Sequence, residues 1–209
     1  MNLDSVKVKI CGITRPSDAL TAIELGANAV GFIFADSPRK ILPETAAAII
    51  SSFPPFVSAI GVFVDEKPDV VRHIAALCSL DYVQLHGNES PEYCNALGLK
   101  VIKVFRVKDL KSINEMSAYQ GIVGGFLLDT YVMERHGGTG KTFDWDIGRK
   151  AKKYGPIILS GGLNPENIRE AIDAVKPYGV DINSGIEISP GIKDHKLLRC
   201  LFINIRTVV

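Results

Sequence analysis

Cysteine, tryptophan, long apolar runs and an excess of charge of either sign are all scarce in this chain. The four cysteines, Cys11, Cys78, Cys94 and Cys200, form no C-x-x-C pair and have no histidine at zinc-finger spacing. That argues against a disulfide framework and a structural metal, and neither a metal nor another cofactor is expected. No apolar run approaches the ~20 residues of a membrane span. Met1 to Ile10 alternates charge with Val and Ile, unlike the continuous apolar core of a signal peptide. A cytoplasmic protein with no membrane partner is the expectation. Lys and Arg number 24 against 23 Asp and Glu, a net charge of +1, so the clustered basic excess of a nucleic-acid binder is lacking. The basic run Arg149-Lys150 with Lys152-Lys153 reads as a solvated helix face. Low-complexity segments and linkers are missing too, so residues 1–209 are expected to form one domain with one large core.

What is present is a recurring unit: a short apolar run, a Gly-rich or polar turn, then a helical stretch. The runs are Val6–Ile10, Ala29–Phe34, Val57–Val64, Tyr82–Leu85, Val101–Phe105, Gly125–Leu128, Pro156–Leu159 and Gly179–Ile182. Each is apolar nearly throughout, as strands covered on both faces are. Between them, Pro16, Pro43, Pro68, Pro91 and Pro165 open helical stretches, with capping side chains expected before them and Gly26 and Gly98 as stops. Helices also fit Asp109–Tyr119, Asp144–Tyr154 and Lys193–Asn204. Strand and helix alternating eight times point to a parallel sheet with right-handed crossovers. An open doubly wound sheet would satisfy this pattern. The even repetition to the C-terminus favours the closed alternative, a single-domain (β/α)8 TIM barrel.

In such a barrel the chemistry lies at the C-terminal ends of the strands. Strand one is followed by Cys11-Gly12-Ile13-Thr14, and strand two by Ser37-Pro38-Arg39. Strand four ends in Gln84-Leu85-His86-Gly87, strand five at Phe105-Arg106, and strand six in Asp129-Thr130. Strand seven ends in Ser160-Gly161-Gly162 and strand eight in Asn183-Ser184-Gly185. The strand interiors are expected to stay apolar. The last two turns fall where this fold binds phosphate, and glycine lets backbone N–H groups approach an anion. A small phosphorylated molecule is therefore the expected partner; plain tight turns are the blander alternative.

Cys11 and Asp129 are the candidate base and acid. A thiol is an adequate base where an electropositive setting ionises it. An aspartate is an acid near neutral pH only where its surroundings keep it protonated. A buried strand-end cysteine and a carboxylate serving as a cap are the plainer alternatives. His86 could orient a neighbour, and Arg39 could bind a carboxylate or phosphate through both arms of its guanidinium. Gly137-Gly138-Thr139-Gly140-Lys141-Thr142 has the end of a P-loop but carries Arg135 where the first glycine must stand. It reads as a loop over the site, Gly138 and Gly140 offering backbone donors or the whole acting as a lid.

These motifs, in this order, resemble the phosphoribosylanthranilate isomerase family. Lys9-Ile10-Cys11-Gly12-Ile13-Thr14, Gly31-Phe32-Ile33-Phe34, Ser37-Pro38-Arg39 and Gly61-Val62-Phe63-Val64 match in the first part of the chain. Val83-Gln84-Leu85-His86-Gly87, Leu128-Asp129-Thr130, Gly137-Gly138-Thr139-Gly140, Phe143-Asp144-Trp145 and Ser160-Gly161-Gly162-Leu163-Asn164-Pro165 continue it. The resemblance implies a cofactor-free Amadori rearrangement of N-(5-phosphoribosyl)anthranilate in tryptophan biosynthesis. It implies Asp129 as acid on the furanose oxygen and Cys11 as base at C2′, not as a nucleophile. Arg39 would lie near the anthranilate carboxylate, with Gln84 and His86 close to the substrate. Gly161, Gly162, Ser184 and Gly185 would hold the phosphate. One departure is visible: the family's last strand ends Val-Ser-Ser-Gly, whereas this one reads Ile182-Asn183-Ser184-Gly185. The histidine-pathway isomerase has the same logic but an aspartate where Cys11 stands. A non-catalytic binding barrel would lack the acid or the base. Monomer and homodimer both fit the sequence.

Overall fold

The computed structural model describes residues 6–130 and 145–206. Eight strands close into a parallel barrel: β1 (Lys7–Ile10), β2 (Ala29–Ile33), β3 (Ser58–Phe63), β4 (Tyr82–Leu85), β5 (Val101–Val107), β6 (Gly125–Thr130), β7 (Ile157–Ser160) and β8 (Gly179–Ile182). The decisive pairing is β1 with β8, Lys7 to Ile10 lying opposite Gly179 to Ile182. An open sheet would leave those two edges bare, so the doubly wound alternative is excluded.

Helices α1 (Pro16–Glu24), α2 (Pro43–Ile50), α3 (Pro68–Leu77), α4 (Pro91–Ala96), α5 (Trp145–Ala151), α6 (Ile168–Val175) and α7 (His195–Arg206) accompany the strands. Each of α1 to α4 starts on its proline, whose fixed φ and missing N–H suit the first helical position. The expected capping side chain is present before only one of those four: Ser90 accepts the Tyr93 N–H, whereas Arg15, Leu42 and Lys67 make no such bond.

Successive strand residues face opposite ways. Val8, Ile10, Val30, Phe32, Val180 and Ile182 point outward into the layer beneath the helices, together with Ala19, Ala22, Ile172 and Leu201. Burying a Leu-sized or Phe-sized side chain contributes ~1.5–3 kcal/mol, so this layer is the main source of stability. Ile60, Ile102, Val104 and Leu127 form a smaller cluster on the opposite, inward face.

Four expectations need correction. The stretch Leu110–Tyr119 is a 3-10 helix. Ser112 Oγ takes the N–H groups of Lys108 and Asp109, and Ser117 Oγ donates to Asn114 O, local bonds that compete with α-helical ones. The segment before the last helix is a small antiparallel hairpin, β9 (Glu187–Ser189) with β10 (Ile192–Lys193), so Lys193 is a strand residue. Pro190-Gly191 between the strands is the turn signal that marks it. Strands five and six run two residues past their apolar runs, to Val107 and Thr130, so Arg106 and Asp129 are the penultimate residues of their strands. Finally, the strand interiors are not all apolar: Lys9, Gln84, Lys103 and Asp181 are buried strand residues.

Candidate active site

A cleft of about 250 Å³ opens at the C-terminal ends of the strands, lined by residues that include Cys11, Gln84, His86, Asp129, Ser160, Gly161, Gly162, Asp181, Asn183 and Ser184. Cys11 extends the β1 ladder, its N–H donating to Ile182 O at 2.9 Å. It shares the inward face with Lys9. His86 extends β4, its N–H donating to Phe63 O at 2.9 Å. Across the cleft Asp129 lies in register with Ser160 on β7, and its Oδ2 is 3.4 Å from His86 Nε2. His86 therefore has a neighbour to orient, and that neighbour is the candidate acid.

Cys11 is 4% exposed. Burial pushes its thiol above the usual range; Lys9 and Lys193 pull it back part of the way, and Asp181 adds to the rise. The electropositive setting expected of a base is present but does not outweigh desolvation. Beneath Cys11, Lys9 Nζ donates to Gln84 Oε1 at 2.8 Å and to Asp181 Oδ2 at 3.0 Å. Burial draws the Lys9 ammonium down, yet Asp181 and Cys11 together hold it above its ordinary value. Gln84 thus lines the cleft and also anchors a buried cation.

Arg39 is not among the cleft-lining residues. It crosses the Cys11-Gly12 turn, where a Cβ on Gly12 would lie 2.9 Å from Arg39 Cδ and 2.6 Å from Asn183 Oδ1. Its guanidinium is clamped by Glu187, Nη2 to Oε2 at 2.7 Å and Nε to each oxygen at 3.0 Å. Lys193 Nζ donates to the same carboxylate at 2.9 Å and to Asn183 Oδ1 at 2.9 Å. Burial would raise the Glu187 carboxyl, but the bonds from Arg39 and Lys193 prevail and hold it below its usual range. Two of the three guanidinium nitrogens are committed to Glu187, and the third, Nη1, still carries donors.

The two glycine turns adjoin. Gly161 and Gly162 take φ of +95° and +65°, a region closed to most side chains. Asn167 Nδ2 donates to Gly162 O at 2.9 Å and Asn167 Oδ1 accepts the Asn164 N–H, which ties this turn to the start of α6. Gly185 packs on the same turn: a Cβ there would collide with Leu163 O and lie 2.9 Å from Asn164 Cβ. Ser160, Gly161, Gly162 and Ser184 line the cleft, while Gly185 supports it from behind. Gly138 and Gly140, with the rest of the Gly137–Thr142 loop, lie outside the described residues. Among the described residues no cluster of His, Cys, Asp and Glu is arranged to hold a metal ion, and no helix is long and apolar enough to cross a membrane.

The family model for N-(5'-phosphoribosyl)anthranilate isomerase matches residues 8–204. The chain belongs to that family. It is 56% identical to the N-(5'-phosphoribosyl)anthranilate isomerase of Geotalea uraniireducens over 194 residues, 92% of this chain and 95% of that protein. The crystal structure of the Thermotoga maritima phosphoribosyl anthranilate isomerase superposes with a TM-score of 0.88 at 44% identity, covering 96% of this chain and 98% of that one. A phosphoribosyl anthranilate isomerase in complex with reduced 1-(o-carboxyphenylamino)-1-deoxyribulose 5-phosphate superposes with a TM-score of 0.86 at 41% identity, covering 96% and 98%.

In this member of the isomerase family, the residues that the sequence reading missed are Lys9, Asp181, Glu187 and Lys193. The first two had a legible signal. Each is the single charge in an apolar triplet, Val8-Lys9-Ile10 and Val180-Asp181-Ile182, which places it on the opposite face from its neighbours. Glu187 and Lys193 had none, because their pairing depends on the hairpin.

Proposed function

We propose that this cleft converts N-(5'-phosphoribosyl)anthranilate into 1-(2-carboxyphenylamino)-1-deoxyribulose 5-phosphate, a step of tryptophan biosynthesis, in the cytoplasm. The observation that carries the reading is a thiol and a carboxylate facing one cleft that ends on two adjoining glycine turns. Asp129 protonates the furanose ring oxygen, the ring opens and a Schiff base forms. The Cys11 thiolate removes the C2′ proton, and the electron pair of that C–H bond moves toward the Schiff base to give an enolamine. Tautomerisation then yields the ketone. His86, beside Asp129, holds the carboxyl toward the ring oxygen. The phosphate rests on Gly161, Gly162, Ser184 and Gly185, whose backbone N–H groups supply donors to an anion. Arg39 offers its remaining nitrogen to the anthranilate carboxylate while Glu187 fixes its orientation. Gly138 and Gly140 contribute from the loop after β6.

A fluorescence assay tests this directly. The purified protein is added to freshly generated substrate, and loss of the anthranilate signal is followed against the spontaneous decay. The expected result is saturable acceleration with release of the deoxyribulose product. Decay at the spontaneous rate would refute the reading.

A further inference from the structure

Lys9 is a buried ammonium whose position the active-site reading does not use. It stands two residues before Cys11 on the same inward face. Both side chains press on one point of β2: a Cβ added at Gly31 would lie 2.8 Å from Cys11 Sγ and 2.9 Å from Lys9 Cε. Lys9 Nζ donates to Asp181 and Gln84, and its charge acts on the adjoining thiol. Lys9 and Asp181 lie opposite one another in the β1–β8 register, with side chains 4% and 5% exposed. The Asp181 carboxylate is only half used. Its Oδ2 holds the ammonium, while Oδ1 is buried with no hydrogen-bond partner among the described residues.

A buried ammonium beside one carboxylate is neutral overall. When the thiol releases its proton to solvent, a second anion comes to share the same cation. Lys9 favours that state by opposite charge. Asp181 opposes it twice, as a like charge and as a competitor for the ammonium. The other charged groups facing Cys11 do not match this arrangement. Arg39, after β2, and Lys193, on β10, share the single carboxylate of Glu187. His86 and Asp129, from β4 and β6, face each other across the cleft.

We propose that Lys9 is a positioning residue for the reaction, the charge partner of the Cys11 thiolate, and that Asp181 sets how much of its charge the thiol receives. The pair then fixes the pH at which Cys11 becomes a base. This rests on the reading of Cys11 as the base.

The test measures the ionisation of Cys11 and turnover separately. Thiolate absorbance in the ultraviolet is titrated in a Cys200→Ser background, because Cys200 is exposed on α7. The same titration of Cys11→Ser is subtracted. Kcat/KM is recorded over the same pH range. Opposite charges at such distances move a titration by roughly 1–3 pH units. Lys9→Met should therefore raise the Cys11 midpoint by about a unit or more. Its kcat/KM at neutral pH should fall about tenfold or more and recover in alkali. Asp181→Asn should move the midpoint the other way. Because Lys9→Met leaves a lone buried carboxylate, the double variant Lys9→Met/Asp181→Asn is measured beside it. Its midpoint should lie above that of Asp181→Asn. A midpoint unmoved in folded Lys9→Met and in the double variant overturns the proposal, as does movement in the same direction for Lys9→Met and Asp181→Asn. If Cys11→Ala instead retains turnover, the base reading fails, whatever the absorbance shows.

Discussion

Two of the buried lysine–carboxylate pairs in this barrel, Lys103 with Glu89 and Lys9 with Asp181, are built differently. Lys103 on β5 donates to Glu89 Oε2 at 2.9 Å, to Gly87 O at 2.8 Å and to Leu85 O at 3.3 Å. Glu89 also accepts the N–H groups of Asp65 and Gly87. Every strong donor and acceptor there has a use, and the result is a fixed loop after β4. Lys9 and Asp181 are buried as well, yet one carboxylate oxygen has no hydrogen-bond partner among the described residues, and the ammonium shares the inward face with a thiol. A saturated pair holds a shape. An unsaturated pair leaves charge over for a neighbour, and here that neighbour is the candidate base.

The largest expected effect falls on the unsaturated side. Cys11→Ala should lower kcat by ~10²–10⁴, the usual cost of removing a general base or acid. Asp129→Asn should do the same, because an amide cannot deliver a proton. Cys11→Ser should also be poor, since a hydroxyl ionises far less readily than a thiol. Single-turnover fluorescence checks all three; wild-type kcat in both Cys11 variants would remove the thiol from the mechanism.

Breaking the saturated pair should have the opposite profile. Lys103→Met leaves Glu89 buried and unpaired, a change that typically costs ~3–5 kcal/mol. Urea unfolding should report that loss, while turnover of the folded variant in the cold is retained. If turnover collapses and stability does not, the two pairs are not different in kind.

A smaller effect is expected at the glycine turns. Gly185→Ala drives a methyl against Leu163 O, and overpacking of this sort costs ~1–3 kcal/mol. Inorganic phosphate should compete with substrate in the wild type and compete less well in this variant. Equal inhibition constants would move the phosphate site elsewhere.

The smallest effect is a matter of pH. Glu187 and Asp18 both have carboxyls held below their ordinary values: burial opposes this in each, and Arg39 with Lys193, or Arg15 with the Lys193 N–H and His195, outweighs it. A depressed carboxyl stabilises the fold fully above its unfolded pKa, ~4. That contribution is lost as the pH falls through the lower folded value. The melting temperature should therefore drop on acidification below about pH 4, and less steeply in Glu187→Gln. Parallel curves for the two proteins would show that Glu187 has no part in it.

Much of this was legible beforehand. Tyr82–Leu85 and Gly179–Ile182 read as strands to the residue, because each is a short run of mainly apolar residues that one inward polar side chain, Gln84 or Asp181, does not break. Prolines 16, 43, 68 and 91 marked helix starts because the ring satisfies a local geometric rule. The strands of Cys11, His86 and Asp129 were readable because the barrel puts all strand ends at one rim. The 3-10 stretch at Leu110–Tyr119 was not, since serine side-chain bonds decide locally between two similar helices. Arg39 looked like a free carboxylate binder, and only the hairpin brings Glu187 across to clamp it.

The sequence by itself determined the fold, the family and the two candidate reactive groups, because each follows from short-range pattern: apolar runs, helix punctuation and motifs at strand ends. Only the tertiary structure decided which charges surround the thiol. Lys9 and Asp181 are separated by most of the chain and become neighbours when β1 closes on β8. Glu187 meets Arg39 and Lys193 through a hairpin of five strand residues. Electrostatic coupling depends on distance and burial, and both are set by barrel closure.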